Sequence, residues 1–360
     1  MARYLVTGVA GFIAARTTEF LLDAGHEVVG VDNLNDYYDV RLKNYRANTL
    51  LGQAATPTAP PNLAKTSTGL AKAESADGRF HSSHLDIENK QSVDALFEAH
   101  KFASVLNLAA RAGVWHSMEN PYIYMSTNTV GTLNLLEAMR HKGVNKMVLA
   151  STSSLYAGQK MPYAETQSVN TPISPYAATK KANEAMGHSY AHLWNLPTTM
   201  FRFFTVYGTW GRPDLALYKF VDAILDDRAI DIYNHGDMYR DFTYVDDLVR
   251  GIRLLIDAAP ERPASREDIP EWDSLSPVAP YRVVNIGNSD KVRLLDFIDA
   301  IEDALGKKAS RNYMEMQKGD VPATWADATL LQELTGYRPQ TDFKDGIAHF
   351  VAWFRDYYNK

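Results

Sequence analysis

The chain has 360 residues, of which 46% are hydrophobic and 22% are charged, and its formal net charge is -6. This composition supports a substantial core and argues against disorder of the whole chain, while the acidic balance without a long basic run argues against a nucleic-acid partner. The absence of cysteine excludes disulfides, thiolate zinc sites and thiol nucleophiles and fits a reducing compartment. Because the chain opens without signal-peptide features and has no apolar run of about 18 residues, we expect a soluble, cytoplasmic protein with no membrane partner.

The first half of the chain alternates short β-branched runs with amphipathic segments of helical length, which is typical of a parallel sheet covered by helices. Strands are predicted at residues 4–7, 28–31, 105–108, 146–150 and 198–203. The stretch 51–77 is rich in Ala, Pro, Thr and Ser and has no clear period, so a surface loop is predicted there.

Beyond residue 203 the pattern loosens. Short strands are predicted at 229–233 and 282–286, and helices at 294–305 and 344–357. We expect two interwoven domains: an α/β domain over residues 1–200, to which a segment around 235–265 returns, and a smaller α/β domain over 201–360 that carries substrate specificity.

A glycine loop follows the first predicted strand and opens a helical segment. Gly8 and Gly11 permit a tight turn and a close approach of the backbone to a pyrophosphate, and Phe12 and Ile13 begin the helix whose N-terminus would face the phosphates. The third position of the usual G-x-x-G-x-x-G pattern is Ala14, a small residue that still allows close helix packing. The loop predicts a dinucleotide-binding, doubly wound parallel sheet of the Rossmann type. A glycine turn in a flavodoxin-like sheet is the alternative.

Acidic residues end two strand-like runs near this loop. Asp32 ends the second predicted strand, where its carboxylate can accept hydrogen bonds from both adenosine ribose hydroxyls and repels a 2′-phosphate, so NAD is favoured over NADP. In a flavodoxin-like sheet Asp32 would be a solvated acid instead. Asp86 and Ile87 fit an edge that contacts adenine. A floor of small residues beneath the cofactor is predicted at Leu108, Ala109 and Ala110.

Tyr176 and Lys180 stand four residues apart after Pro175, which is well placed to start a helix, so both side chains lie on one helix face. A tyrosine hydroxyl has an unperturbed pKa of about 10, and a neighbouring lysine cation and a positively charged nicotinamide favour the phenolate. Tyr176 is therefore predicted to act as a base at neutral pH. A helical Tyr and Lys at a surface is the alternative interpretation.

A cluster of hydroxyl groups follows the fourth predicted strand, at Ser151, Thr152, Ser153 and Ser154. Open α/β sheets bind ligands at this carboxyl edge, so the cluster can hold a substrate oxygen. A Ser/Thr turn that caps a helix is the other interpretation. The glycine loop, Asp32, these hydroxyls and the Tyr/Lys pair occur in the order that one dehydrogenase site requires.

Longer strings are more specific than the glycine loop. They are DNLNDYY at 32–38, LAARAGV at 108–114, RFFTVYG at 202–208, GRPD at 211–214, RDFTY at 240–244 and GDVPAT at 319–324. Through them, and over nearly its whole length, the sequence resembles the extended short-chain dehydrogenase/reductase superfamily. Within that superfamily it resembles the UDP-glucuronate 4-epimerases rather than the UDP-galactose 4-epimerases.

The resemblance implies that Thr152, Tyr176 and Lys180 are the catalytic hydroxyl, base and lysine. It implies NAD as the cofactor, framed in addition by Asn33, Asn35, Lys43, Asn128, Ser151, Phe203 and Phe204. It also implies a UDP-sugar substrate whose uracil packs on Tyr233, whose nucleotide end contacts Arg240 and Asp320, and whose sugar or phosphates lie near Thr205 and Arg212. A homodimer paired through the helical run 122–140 and the segment after Tyr176 is a further implication.

In the implied mechanism, Tyr176 removes the proton of the sugar 4-hydroxyl while a hydride passes to NAD, and the 4-keto sugar turns over and receives the hydride on its other face. For a uronic acid the intermediate is a β-keto acid that can lose carbon dioxide. Hydroxyls can hold its carboxylate without supplying an acid, and the candidates are Thr152, Ser153, Ser154 and Thr205.

Acidic residues near the catalytic threonine distinguish the related enzymes that catalyse other reactions. Nucleotide-sugar dehydratases need an Asp-Glu pair after it, and related decarboxylases carry Glu where Ser154 stands; neither acid is present. A UDP-galactose 4-epimerase and a UDP-glucuronate decarboxylase remain alternatives, and a non-catalytic NAD-binding sensor is the alternative from another class. Such sensors typically lack the Tyr/Lys pair.

The sequence departs from the family pattern at three places. Ala14 replaces the third glycine, Ala157 replaces the glycine that usually follows Tyr156, and Arg111 with Trp115-His116 stands where the family commonly has Gln and Arg-Tyr. The last departure is expected to affect the sugar pocket. His188 and His192 have a spacing that can chelate a metal on a helix, but the glutamate of an HExxH motif is missing, so no metal site is predicted.

Overall fold

The computed structural model describes residues 1–53, 64–65, 71–317 and 319–360. Its strands, in chain order, are β1 Arg3–Thr7, β2 Glu27–Asp32, β3 Ala64–Lys65, β4 Ala71–Glu74, β5 Phe80–His84, β6 Ser104–Asn107, β7 Met147–Thr152, β8 Thr198–Phe203, β9 Thr205–Tyr207, β10 Ile230–Ile232, β11 Tyr239–Arg240, β12 Phe242–Tyr244, β13 Tyr281–Ile286, β14 Val292–Arg293, β15 Arg311–Tyr313 and β16 Ala323–Thr324. Its α-helices are α1 Phe12–Asp23, α2 Val40–Leu51, α3 Lys90–Ala99, α4 Val114–Glu119, α5 Pro121–Tyr124, α6 Gly131–Lys142, α7 Pro175–Trp194, α8 Ala216–Leu225, α9 Val245–Asp257, α10 Leu294–Leu305, α11 Thr329–Thr335 and α12 Phe343–Tyr358.

The main sheet contains strands in the order β13, β8, β7, β6, β1, β2, β5, β4 and β3. Every pair from β13 to β5 is parallel. Two apolar cores lie on the two faces of this sheet. In β1, Val6 belongs to one core and Leu5 to the other, because successive side chains of a strand point to opposite faces. The sheet is therefore covered on both faces, and the predicted doubly wound α/β class and its five strands are confirmed.

The order of the strands places a crevice beside β1. This strand pairs with β2 on one side and with β6 on the other, so the chain winds in opposite directions from it. Loops that follow the carboxyl ends of β1 and β6 diverge at such a point and leave a ligand crevice between them. Gly8 and Leu108 lie directly after these two strand ends.

The predicted surface loop at 51–77 is partly wrong. Helix α2 extends to Leu51, and β4 adds antiparallel to β5 with Lys72 opposite Ser83. The β4 sequence Ala-Lys-Ala-Glu contains no large apolar or β-branched residue, so the sequence pattern did not indicate a strand there. Residues 54–63 and 66–70 of this stretch lie outside the described residues.

The helical run predicted at 122–140 is present, but its middle is a π-helix. Helix α5 continues through the π-helix Met125–Val130 into α6 without leaving helical backbone angles at the junctions. The π-helix contains Asn128, which is almost fully buried. A π segment inside an α-helix often marks a functional region.

The second half of the chain is interwoven with the first. Helix α9 packs against α1, and β13 is the outermost strand of the main sheet beside β8. Small sheets complete this half: β10 pairs with β15, β11 with β14 and β16, and β12 with β9. Among the helices that the structure describes, none is long and apolar enough to cross a membrane.

Candidate active site

The glycine loop after β1 is held so closely that side chains do not fit. Gly8 has a φ of 69°, and a Cβ added to it would lie 2.9 Å from the Cα of Ala109. A Cβ on Gly11 would lie 2.8 Å from the carbonyl oxygen of Gly8. Gly11 is also the N-cap of α1, and no side chain in the described part of the chain caps that helix. The backbone N–H groups of the first turn are thus available to an anion, as predicted for a pyrophosphate.

Asp32 ends β2 beside this loop and is almost fully buried. Its Oδ2 accepts a hydrogen bond from the N–H of Ala10 at 3.1 Å, and its Oδ1 accepts one from Leu34 at 2.8 Å. Asn33 donates to the Asp86 carboxylate at 2.8 Å. These bonds bring the ends of β2 and β5 together, and both acids line the same cavity as the glycine loop.

The predicted catalytic residues meet at the carboxyl ends of β7 and β8. Ser174 caps α7 by accepting a hydrogen bond from Ala177 at 3.1 Å, and Pro175 occupies the first turn, as expected for a helix start. The Nζ of Lys180 donates to the backbone oxygen of Ala150 at 2.8 Å. Tyr176 is hydrogen-bonded to Thr152. The three side chains therefore share one wall of the cavity.

The protein environment acts on both titratable groups of this set. Burial raises the pKa of Tyr176 above its usual range, while the hydrogen bond with Thr152 and the charge of Arg212 oppose the rise. Burial lowers the pKa of Lys180 to about 8, and the negative charge of Glu184 opposes this fall. Lys180 thus remains mostly protonated at neutral pH, although its pKa lies close to that range.

A buried ion pair supports the catalytic residues from behind. Glu184 lies one helical turn beyond Lys180 and accepts a hydrogen bond from the hydroxyl of Ser151 at 2.7 Å. Arg202 donates to both oxygens of the same carboxylate at 2.9 and 2.8 Å. These contacts fix α7 against the ends of β7 and β8.

A second cavity adjoins the first at Thr152, Phe203 and Phe204, which line both. Its wall includes an ion pair in which Arg240 donates to Asp320 at 2.8 Å. The hydroxyl of Thr152 also donates to the hydroxyl of Ser154 at 3.1 Å. The polar side chains among the described residues that line this cavity are Thr152, Ser153, Ser154, Tyr163, Ser174, Thr205, Arg240, Asp320 and Thr324.

The structure brings nearly all predicted site residues to these two cavities. The predicted cofactor residues that line the first are Gly8, Gly11, Phe12, Ile13, Asp32, Asn33, Asn35, Lys43, Asp86, Ile87, Leu108, Ala109, Ala110, Ser151, Tyr176, Lys180 and Phe203. Of the predicted substrate residues, Arg212 lines the first cavity, and the second is lined by Thr152, Ser153, Ser154, Thr205, Arg240 and Asp320.

Two predicted site residues lie elsewhere. Asn128 is buried behind Arg111, and its Nδ2 donates to the backbone oxygen of Arg111 and to the hydroxyl of Thr179, both at 3.0 Å. Tyr233 begins a 3-10 turn after β10 and is not among the described residues that line either cavity.

Two residues of the site were not assigned a role from the sequence. Tyr37 lines the first cavity, and Glu184 joins the ion pair behind it. Arg111, whose departure from the family pattern was expected to affect the sugar pocket, lines the first cavity and is not among the described residues that line the second. The spacing of Glu184 four residues after Lys180 was a usable signal, because such residues are neighbours on a helix. Ala157 has an ordinary φ of -48°, so the glycine that it replaces is not needed for backbone geometry.

A dinucleotide-type cavity that shares a wall with a second polar cavity is the arrangement of an enzyme that uses a nucleotide cofactor on a separately bound substrate. The chain belongs to the NAD dependent epimerase/dehydratase family, which it matches over residues 4–267. This result confirms the family predicted from the sequence.

Individual relatives extend the likeness over the whole chain. A probable UDP-glucuronate 4-epimerase of Rhizobium meliloti (strain 1021) is 44% identical over 359 residues, which cover 99% of this chain and 98% of that protein. A UDP-glucuronate 4-epimerase of Thermodesulfobacterium geofontis (strain OPF15) is 41% identical over 357 residues, or 99% and 97% of the two chains. The crystal structure of UDP-glucuronic acid 4-epimerase from Bacillus cereus in complex with UDP-glucuronic acid and NAD has a TM-score of 0.81 and 28% identity, covering 98% of this chain and 99% of that chain.

Proposed function

We propose that this protein catalyses the NAD-dependent 4-epimerisation of UDP-glucuronate to UDP-galacturonate. The observation that carries the proposal is the position of Thr152 and Tyr176, with Lys180 behind them, where the glycine-loop cavity adjoins the cavity that Arg240 and Asp320 line. The similarity to UDP-glucuronate 4-epimerases along the whole chain supports the same reaction.

The first cavity fits NAD. The close approach of Gly8 and Gly11 to neighbouring backbone leaves the first turn of α1 accessible to a diphosphate. The carboxylate of Asp32, at the end of β2, fits a ribose diol and disfavours a 2′-phosphate. When bound, NAD supplies the hydride acceptor and, after the sugar has turned, the hydride donor.

The residues of this chain move the proton and hold the sugar. We infer that the phenolic oxygen of Tyr176 takes the proton of the 4-hydroxyl and returns it at the end of the cycle, with Thr152 hydrogen-bonded to that phenol. The ammonium of Lys180, fixed by the carbonyl of Ala150, contributes a positive charge that favours the phenolate.

The second cavity suits a uronic acid. The hydroxyls of Thr152, Ser153, Ser154 and Thr205 line it and can donate hydrogen bonds to a carboxylate. No aspartate or glutamate follows Thr152 in the 3-10 turn Ser153–Tyr156. The carboxylate can therefore be held by hydroxyl groups without an acid on the turn that follows Thr152.

The test is to incubate the purified protein, without added NAD, with UDP-glucuronate and separately with UDP-glucose, and to resolve the products by chromatography with mass detection. UDP-galacturonate of unchanged mass, formed only from the uronate, is the expected result. A product lighter by carbon dioxide would identify a decarboxylase, and conversion of UDP-glucose alone would identify a UDP-galactose 4-epimerase. No reaction even after NAD is added would favour a sensor. Tyr176→Phe is expected to abolish turnover, and unchanged turnover would contradict the assigned base.

We also propose a homodimer formed through the helices from α5 to α7. Large apolar side chains are exposed there, with Tyr122 at 83%, Met125 at 50%, Leu133 at 39% and Leu193 at 63%. Such surfaces usually mark interfaces. Combined Met125→Glu and Leu133→Glu substitutions should reduce the sedimentation mass to that of one chain, whereas Met316→Glu, at an exposed apolar residue elsewhere, should not. A dimer that persists in the double variant would refute this interface.

A further inference from the structure

The loop between β9 and α8 begins with a tight turn whose third residue is unusual. The N–H of Gly211 donates to the backbone oxygen of Gly208 at 3.0 Å, which closes a β-turn. Trp210, the third residue of this turn, has a φ of 67°. A positive φ at this position favours Gly or Asn and is uncommon for a bulky side chain, and such a conformation persists only where the surrounding structure holds it.

Two neighbouring residues of α2 contact different parts of Trp210. The ring centre of Tyr45 lies 4.5 Å from that of Trp210, and the guanidinium of Arg46 donates a hydrogen bond to the backbone oxygen of Trp210. The ring of Trp210 also packs against Trp353 of α12, with 5.0 Å between the ring centres. Helix α2 therefore holds both the side chain and the backbone of the turn.

Arg46 connects this turn to the glycine loop. Its side chain is buried, and its Nη1 donates to the backbone oxygen of Ala10 at 3.0 Å and to the hydroxyl of Tyr38 at 2.8 Å. Ala10 belongs to the glycine loop, Tyr38 to the segment after β2, and Trp210 to the turn. Because the donors of a guanidinium form a rigid planar fork, these bonds fix the three segments relative to one another.

Arg212 follows the turn directly and depends on it for its position. Its guanidinium donates to the two oxygens of Asp214 at 2.9 and 2.5 Å. Because Asp214 lies in the same loop, this ion pair fixes the guanidinium relative to the loop but does not fix the loop relative to the catalytic residues. Arg212 lines the first cavity together with Tyr176, so a displaced turn would carry the positive charge of Arg212 to a different place in the cavity.

We propose that Arg46 is a positioning residue for the nucleotide sugar, because it joins the turn to the glycine loop and so holds Arg212 where the ligand meets the catalytic residues. Arg46 is not among the described residues that line either cavity, so it acts through Arg212 and not by touching the ligand. The inference rests on the proposed function in taking a UDP-sugar as the ligand that Arg212 contacts.

The first experiment follows the turn itself, without any sugar present. The holoprotein contains six tryptophans; it is labelled with 5-fluorotryptophan and studied by fluorine NMR, with the signal of Trp210 assigned through Trp210→Phe. Arg46→Gln should shift or broaden the Trp210 signal and leave the signal of the exposed Trp272 unchanged. Arg41→Gln is the matched control, because Arg41 lies on the same helix but is exposed and paired with Asp39. A Trp210 signal that is the same in Arg46→Gln and in wild type would overturn the proposal.

The second experiment tests whether Arg46 acts through Arg212. Binding of UDP-glucuronate is measured by calorimetry with NAD in excess, in a Tyr176→Phe background that stops turnover. Arg46→Gln should weaken binding about tenfold, because Arg212 is no longer held in place to make a charge-assisted hydrogen bond to the ligand. Adding Arg46→Gln to Arg212→Gln should cause no further loss, since the effects of residues that act as one unit do not add. Losses that multiply, or binding unchanged by Arg46→Gln, would contradict the proposal.

A conservative variant guards against misfolding. Arg46→Lys keeps the positive charge and most of the buried side chain but lacks the fork of donors. It should fold like wild type, as checked by circular dichroism, and should still bind UDP-glucuronate several-fold more weakly. Undiminished affinity in this variant would show that a charge alone suffices and would overturn the positioning role. A wild-type protein that binds UDP-glucuronate without converting it would refute the proposed function, while the NMR signals and the binding losses would still decide the role of Arg46.

Discussion

Replacement of Glu184 by glutamine tests the support behind the catalytic helix. The side chains of Glu184 and Arg202 are only 4% and 3% exposed, and they meet at 2.8 Å. Arg202 also donates to the hydroxyl of Tyr156 at 2.7 Å. Glu184→Gln removes the negative charge but keeps the size of the side chain, so the guanidinium of Arg202 remains buried without its counter-ion.

Removing one partner of a buried ion pair costs about 3–5 kcal/mol, because an uncompensated charge stays in a low-dielectric interior. We therefore expect the free energy of unfolding of Glu184→Gln to fall by about that amount. Asp257→Asn is the control, because Asp257 pairs with Arg253 across one helical turn at the surface. An exposed pair of this kind is worth about 0.3–0.5 kcal/mol.

The assay is equilibrium urea unfolding followed by circular dichroism, at one fixed NAD concentration because a bound ligand shifts apparent stability. Combining Glu184→Leu with Arg202→Met should recover most of the loss, since both charges leave together. A Glu184→Gln variant that loses no more stability than Asp257→Asn would show that this ion pair does not hold the catalytic helix.

Two other residues give predictions of a different kind. Burial raises the pKa of Glu165 from 4.5 to about 7. The folded protein therefore binds the proton of this carboxyl more tightly than the unfolded chain does. The stability that this proton contributes is fully present below pH 4.5 and is lost as the pH rises through 7. Unfolding measured from pH 4.5 to 8 should show wild type losing about 3 kcal/mol relative to Glu165→Gln, and parallel curves would contradict this. Gly8→Ala should abolish NAD retention, because its Cβ would meet the Cα of Ala109 at 2.9 Å. Gly25→Ala is the control, because Gly25 has a similar positive φ but a Cβ added to it would have no described atom within 4 Å, so this variant should keep its NAD. Equal NAD retention in the two variants would show that the close approach of Gly8 to Ala109 is unimportant.

The sequence by itself determined the features that depend on residues near one another in the chain. Runs of β-branched residues marked the strands of the parallel sheet, and the glycine loop marked the dinucleotide crevice after β1. Tyr176 and Lys180 were predicted to share a face because helical geometry alone places residues four apart on one side. Long strings characteristic of the family gave the expected reaction.

The tertiary structure decided which distant residues meet. From the sequence, Arg111 was a departure from the family pattern that was expected to affect the sugar pocket. Its placement beside Asn35 and Lys43 depends on how the loops after β2 and β6 converge at the crevice. The pairing of Glu184 with Arg202 likewise depends on the position of α7 over β8. Local preferences do not encode such contacts, because hydrogen bonds and charge pairs between separate elements form only when packing of the two cores has fixed the register of the sheet and the position of its helices.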